Sequence, residues 1–149
     1  MPADRDSALV ELFRSKCRMN VKEAEDKEPM EPGTIYFAPP DYHVLIENGN
    51  RLSLSNDEPV HFSRPSIDVL FESAAAADEN VVLGIVLSGG SEDGSQGLRA
   101  IYESGGGAWV QDPMEAEAKL MPRAALVACP SAFKLNLSEM QSRLKEFAA

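Results

Sequence analysis

The residues best placed to do chemistry are Glu92 and Asp93, in the stretch VVLGIVLSGGSEDG (Val81 to Gly94), where an apolar run empties into glycines. Carboxylates on a glycine loop after a buried strand have several possible uses. A phosphate cradle would employ the glycine amides, but no Gly-Lys-Ser/Thr follows and both acids repel a phosphate. A magnesium site could use both carboxylates, although adjacent acids with no third acidic partner in view are common on surfaces. The plainest use is structural: the glycines make the turn and the acids cap the following helix. Other reactive residues are sparse. Cys17 and Cys129 form no CxxC pair, and the two histidines, His43 and His61, show no ligand spacing to each other or to cysteine. The expectation is no metal and no cofactor. A hydrolytic triad of Ser88, His61 and Asp93 is conceivable but makes strict geometric demands.

The surrounding chain bounds the class. Its 149 residues suit one domain with a core of its own. Hydrophobic residues make up 44% and charged residues 26%, ordinary values for a globular protein, so disorder is not expected. A formal charge of −10 repels phosphate backbones and anionic lipid, which argues against nucleic-acid and membrane-surface binding. No apolar run approaches the roughly 20 residues of a membrane span. The N-terminal stretch MPADRDSALVELFRSK lacks a signal-peptide core, and a reducing cytoplasm is the expected compartment.

Periodicity supplies the elements. Leu9, Leu12, Phe13 and Cys17 recur at helical spacing, with Asp4, Asp6 or Ser7 as candidate caps. Residues 21–25 suggest a short strand. Residues 34–37, 43–47 and 51–54 read as a small antiparallel meander, with Asn48-Gly49 as a type I′ turn. After Pro59 the period changes. Ile67, Leu70, Phe71 and Ala74 mark a helix beginning near Pro65-Ser66, and residues 81–87 form a strand apolar on both faces, as in a sheet covered on two sides. Leu98, Ile101 and Tyr102 predict the next helix, ended by Gly105-Gly106-Gly107. A strand at 108–110 leads into the turn Gln111-Asp112-Pro113, a brief helix opens at Met121-Pro122-Arg123, and a last strand spans 133–135. Ser138 with Gln141 suggests a capping box before a final helix over 138–147. This alternation predicts an α/β fold with a β-meander inserted.

Four blocks, PGTIYFAPPDYHVLI (Pro32 to Ile46), HFSRPSIDVLFESAA (His61 to Ala75), VLSGGSEDGSQGL (Val86 to Leu98) and AKLMPRAAL (Ala118 to Leu126), together resemble the catalytic domain of CheB-type chemotaxis methylesterases. The resemblance covers nearly the whole chain in the family's order. It implies a Rossmann-like, doubly wound, mainly parallel sheet with an antiparallel hairpin or meander insertion, over residues 1–149 as a single domain without a receiver. The family hydrolyses glutamate methyl esters on chemoreceptors, and can deamidate glutamines, with a Ser-His-Asp triad. By this resemblance Asp93 is the triad acid, which orients the imidazole and stabilises it once protonated. Ser88 stands where the family has threonine, Gly90 where it commonly has methionine and Ser91 where it has glycine, so the wall facing substrate should differ in detail.

The family's serine and histidine precede its aspartate, and Met1-Pro2-Ala3-Asp4 looks like the residues just after that histidine. The resemblance therefore implies that nucleophile and base lie outside these 149 residues and that the chain alone is close to inert, since losing either group costs about 10⁶ in turnover. An edge of the sheet should then be exposed. The alternative is a non-catalytic short form that binds receptors or a methyltransferase. Implied partners are the cytoplasmic helices of methylated chemoreceptors and a methyltransferase or receiver-containing protein of the phosphorelay. Arg64 and Arg123 are candidate basic docking groups.

Overall fold

The computed structural model describes residues 3–77 and 81–148, and the chain begins with helix α1 (Ala3–Lys16). Asp4, Asp6 and Ser7, the candidate caps, lie within the span of this helix. Near its end Phe13 meets the Phe37 ring, with centroids 5.2 Å apart. Strand β1 (Asn20–Glu23) pairs in parallel with β2 (Thr34–Phe37), and β3 (His43–Glu47) pairs antiparallel with β4 (Arg51–Ser55). The meander expected at residues 34–54 is therefore a hairpin only. Its third strand, β2, is held by β1, a pairing extended by the Ala24 amide donating to Phe37 O at 2.8 Å. Between β2 and β3 the chain runs through Pro39 and Pro40, which have no N–H to close a tight turn. The β3–β4 turn also differs in detail. Glu47 faces Arg51, and the left-handed residues are Gly49 (φ 82) and Asn50 (φ 55), one position later than a two-residue Asn48-Gly49 turn requires.

From residue 66 onward the alternation is regular: α2 (Ile67–Ala76), β5 (Leu83–Val86), α3 (Ser95–Glu103), β6 (Gly107–Gln111), α4 (Leu120–Ala128), β7 (Phe133–Leu135) and α5 (Leu137–Ala148). Strands β5, β6 and β7 form a parallel sheet in that order, with Ile85 opposite Trp109 and Trp109 opposite Phe133. Successive side chains point to opposite faces of a strand, so this sheet has two apolar faces to cover. Val86, Ala108 and Val110 pack with Leu98 of α3 and with Ala125 and Cys129 at α4. Trp109 and Leu135, with Leu83 and Ile85, pack with Met140 of α5. Helices thus lie on both faces, and the architecture is α/β and Rossmann-like with an antiparallel pair beside it. A separate cluster of Ala24, Val44 and Leu52 joins the hairpin to Leu70 of α2. Leu98 and Ile101 are wholly inaccessible. Burial of each is worth about 1.5–3 kcal/mol relative to exposure.

The final helix is capped two residues earlier than Ser138. Asn136 Oδ1 accepts from the Glu139 amide at 2.8 Å, while Glu139 Oε1 accepts from the Asn136 amide at 3.1 Å. That is a reciprocal capping box in which asparagine replaces serine. No helix among the described residues is long and apolar enough to cross a membrane.

Candidate functional site

The glycine-acid loop leaves the C-terminal end of β5, where loops of parallel sheets gather functional groups. Its first half is tied to the segment before α4. Ser88 Oγ accepts from the Ala118 amide at 2.9 Å and the Ser88 amide donates to Gln111 Oε1 at 2.9 Å. The Gly89 amide donates to Ala118 O at 3.1 Å, and Gly89 O accepts from the Met121 amide at 3.0 Å. A Cβ at Gly89 would stand 2.7 Å from Met121 Sδ, so this glycine permits close contact between the two segments. The contacts explain why the blocks 86–98 and 118–126 belong together. Threonine at position 88 would offer the same hydroxyl. Gln111 is buried at the end of β6 and was not singled out from sequence; a polar residue finishing an apolar strand was the only signal.

The second half of the loop turns toward α2. Asp93 is 3% exposed, and its carboxylate sits on the N-terminus of that helix rather than of the helix following it. Oδ1 accepts from Ser66 Oγ at 2.8 Å and from the Asp68 amide at 3.0 Å; Oδ2 accepts from the Ile67 amide at 2.7 Å. Ser66 is extended (φ −111, ψ 136), as a helix cap must be, and its Oγ also accepts from the Val69 amide at 3.4 Å. Three of the initial donors of α2 are thereby satisfied, and the partial positive charge of a helix N-terminus favours the carboxylate. A carboxylate has about four lone-pair positions. Asp93 uses three, and the one left is on Oδ2.

The reverse relation also holds. The following helix, α3, has Gly94 at its cap position, with φ 97 and no side chain to offer. Asp68, in the first turn of α2, does the capping: its Oδ1 accepts from the Gly94 amide at 3.0 Å and the Gly97 amide at 2.7 Å. Acids do cap helices here, but each caps the helix to which it does not belong. Sequence spacing could not show this, because the partners are about 25 residues apart in the chain.

The two histidines and Ser88 have partners other than Asp93. His43 is 1% exposed; Nδ1 accepts from the Ser66 amide at 3.1 Å and Nε2 lies 2.9 Å from Glu58 O, so the buried ring supports the α2 cap. His61 Nε2 lies 3.4 Å from Asp68 Oδ2. The conceivable set of Ser88, His61 and Asp93 is therefore not assembled, since Ser88 is bound to Ala118 and His61 faces the neighbouring acid. Arg64 Nη1 donates to Asn56 O at 3.1 Å and Asp57 O at 3.3 Å, which makes it a strut for its own loop, whereas Arg123 is exposed. No cluster of metal-ligating side chains occurs among the described residues.

Strand β5 lies at an edge of its sheet, and beside it Ile85 and Leu87 line an apolar groove with Leu137, Met140 and Leu144 of α5. Leu87, Leu137 and Leu144 are each more than 40% exposed.

The family model described as CheB methylesterase matches residues 1–144. The chain belongs to the CheB methylesterase family. This CheB-type domain is 46% identical over 138 residues to a putative protein-glutamate methylesterase/protein-glutamine glutaminase of Leptospira interrogans, covering 93% of the chain and 72% of that relative. It is 34% identical over 151 residues to a protein-glutamate methylesterase/protein-glutamine glutaminase of Chromohalobacter salexigens, covering 99% of the chain but only 43% of the relative. Among solved structures, the crystal structure of the Thermotoga maritima CheB methylesterase catalytic domain superposes with a TM-score of 0.88 at 25% identity, covering 99% of this chain and 79% of that one. The fold expected from the resemblance is the fold observed.

Proposed function

We propose that this CheB-type domain serves the hydrolysis of glutamate methyl esters, and the deamidation of glutamines, on cytoplasmic chemoreceptor helices, with Asp93 as the acid of a Ser-His-Asp triad. The observation that carries this reading is the carboxylate itself. It is buried at the mouth of β5, fixed by three donors, and keeps one acceptor position on Oδ2. An imidazole N–H bound there would be held in one tautomer, and the imidazolium formed when the ring takes the serine proton would face a full negative charge in a site shielded from water. The Ser66 hydroxyl and the first amides of α2 hold the carboxylate in place.

Neither histidine among these residues is free to serve as base. The reading therefore requires a serine and a histidine supplied on a further segment. A strand laid parallel to β5 at its open edge would bring its own C-terminal loop beside Asp93, and an apolar side chain next to it would fill the groove of Ile85, Leu87 and Leu144. On this view the 149-residue chain alone releases almost no methanol from a methylated receptor fragment. A longer polypeptide that adds such a strand releases it readily, and Asp93→Asn in that longer form lowers kcat by about 10⁴ through the wrong tautomer. Full turnover in the longer form with Asp93→Asn would remove Asp93 from the reaction.

The second reading, a non-catalytic module that binds receptor or methyltransferase, is favoured by the commitment of both histidines to structural contacts. Methanol release by the 149-residue chain alone would eliminate it.

A further inference from the structure

We propose that Asp68 is a positioning residue for Asp93, acting through the reciprocal caps of α2 and α3; this rests on the triad reading above. The two acids form a closed ring. The Asp68 amide donates to Asp93 Oδ1 at 3.0 Å, and the Gly94 amide, one peptide bond beyond Asp93, donates back to Asp68 Oδ1 at 3.0 Å. Each carboxylate therefore restrains the backbone that carries the other. Asp68 is 4% exposed, and its Oδ1 also takes the Gly97 amide at 2.7 Å. Its second oxygen meets His61 Nε2 at 3.4 Å, so the side chain is held from both ends.

Two features give this ring a role beyond helix capping. Gly94 has a left-handed φ of 97 and no side chain, so α3 depends on Asp68 for its cap. The Gly94 amide that Asp68 holds is joined directly to the Asp93 carbonyl carbon, so the same contact fixes the backbone beside Asp93. The surroundings of Gly94 are tight, because a Cβ there would come within 3.1 Å of Ile67 Cγ2. If Asp68 Oδ1 is lost, the Gly94 and Gly97 amides become buried donors without an acceptor, and Asp93 loses the anchor on its C-terminal side. A misplacement near 1 Å at a catalytic constellation can cost about 10²-fold in rate.

The design of Asp68 differs from that of Asp93 in a way that yields a discriminating test. Asp68 receives both backbone donors on one oxygen, so asparagine can keep both bonds with its Oδ1 and turn its amide nitrogen toward His61. Asp93 receives donors on both oxygens, so asparagine must set an N–H against a backbone N–H. Conservative rescue is expected at position 68 and not at position 93.

The test has two arms. Amide hydrogen exchange is measured on the 149-residue protein with Asp68→Ala and Asp68→Asn, with the Val110 amide in the core strand β6 as reference for global unfolding. Asp68→Ala is expected to speed exchange at Ile67, whose amide is held by Asp93, by at least about tenfold more than at Val110, and Asp68→Asn to leave it near wild type. Unchanged Ile67 exchange in Asp68→Ala, or equal damage from both variants, overturns the proposal. In an ester-hydrolysing longer form, Asp68→Ala is expected to lower kcat by about 10- to 100-fold with KM unchanged, and Asp68→Asn to restore it. A rise in KM alone also overturns the proposal. Failure of the triad reading looks different: Asp93→Asn stays active while the exchange arm still shows the coupling.

Discussion

Gly97 of α3 lies against Phe71 of α2 so closely that a Cβ on the glycine would stand 2.5 Å from Phe71 Cβ and 3.2 Å from Asp68 Cα. The contact sets the distance between the two helices whose ends carry the paired carboxylates. It also lets the Gly97 amide reach Asp68 Oδ1.

Gly97→Ala should therefore separate α2 from α3. Overpacking of this kind costs about 1–3 kcal/mol, and here the atoms that must move include backbone. The control is Gly90, which has nothing within 4 Å of its would-be Cβ and no left-handed φ. Gly90→Ala should be neutral or gain about 0.4–1 kcal/mol by restricting the unfolded chain. Urea midpoints of the two variants decide the matter. A wild-type midpoint for Gly97→Ala would mean that the helices have room to spare.

Element types were legible wherever a period ran long enough, and β2, β3 and β7 have the limits that alternation and turn residues suggested. Pairing was less legible. Nothing local in Thr34 to Phe37 says that β1 rather than β3 will hold it; that depends on which edge the two prolines allow the chain to reach. The last helix was assigned to Ser138, yet Asn136 and Glu139 form the box, because both pairs satisfy the same spacing rule and only Asn136 Oδ1 meets the helix amide. At the candidate site, the glycine loop after a buried strand singles out Asp93 together with Glu92, and only the family resemblance gives Asp93 an expected role as triad acid. Its contacts with Ser66, Ile67 and Asp68 join segments that only folding brings together.

A second prediction concerns the turn that leads into the Ser66 cap. His61 (φ 49) and Phe62 (φ 61) are consecutive left-handed residues, and Val60 and Ser63 exchange backbone hydrogen bonds of 3.0 and 2.9 Å across them. Turns of this shape favour Asn-Gly, because residues with a Cβ lose about 1–2 kcal/mol in the left-handed region. His61 is retained by Asp68, but the Phe62 side chain is fully exposed and has no packing to lose. Phe62→Gly should raise stability by about 0.5–1 kcal/mol once the greater freedom of glycine in the unfolded chain is deducted. Phe62→Ala keeps the strain and should change little. Equal midpoints for the glycine and alanine variants would show that the turn is not strained.

The third prediction uses the cysteines. Cys129 is buried in the core beside α4, whereas Cys17 is half-buried at the end of α1. Burial pushes the Cys129 thiol above its ordinary value, outweighing the backbone hydrogen bonds from Ala132 and Ser131 that favour the thiolate. Iodoacetamide should therefore modify Cys17 well before Cys129 in the native protein, since only the thiolate attacks. The sign for stability follows from proton counting. Below the ordinary thiol range, near pH 8.5, both folded and unfolded Cys129 are protonated and contribute no pH dependence. Above it the unfolded thiol loses its proton while the folded one retains it, so the unfolded state binds fewer protons and stability falls as pH rises. Denaturation midpoints from pH 7 to about pH 9.5 should thus drop more steeply in the wild type than in Cys129→Ala, whose side chain does not titrate. Parallel slopes, or equal alkylation rates at the two cysteines, would show that Cys129 is not shielded as its packing requires.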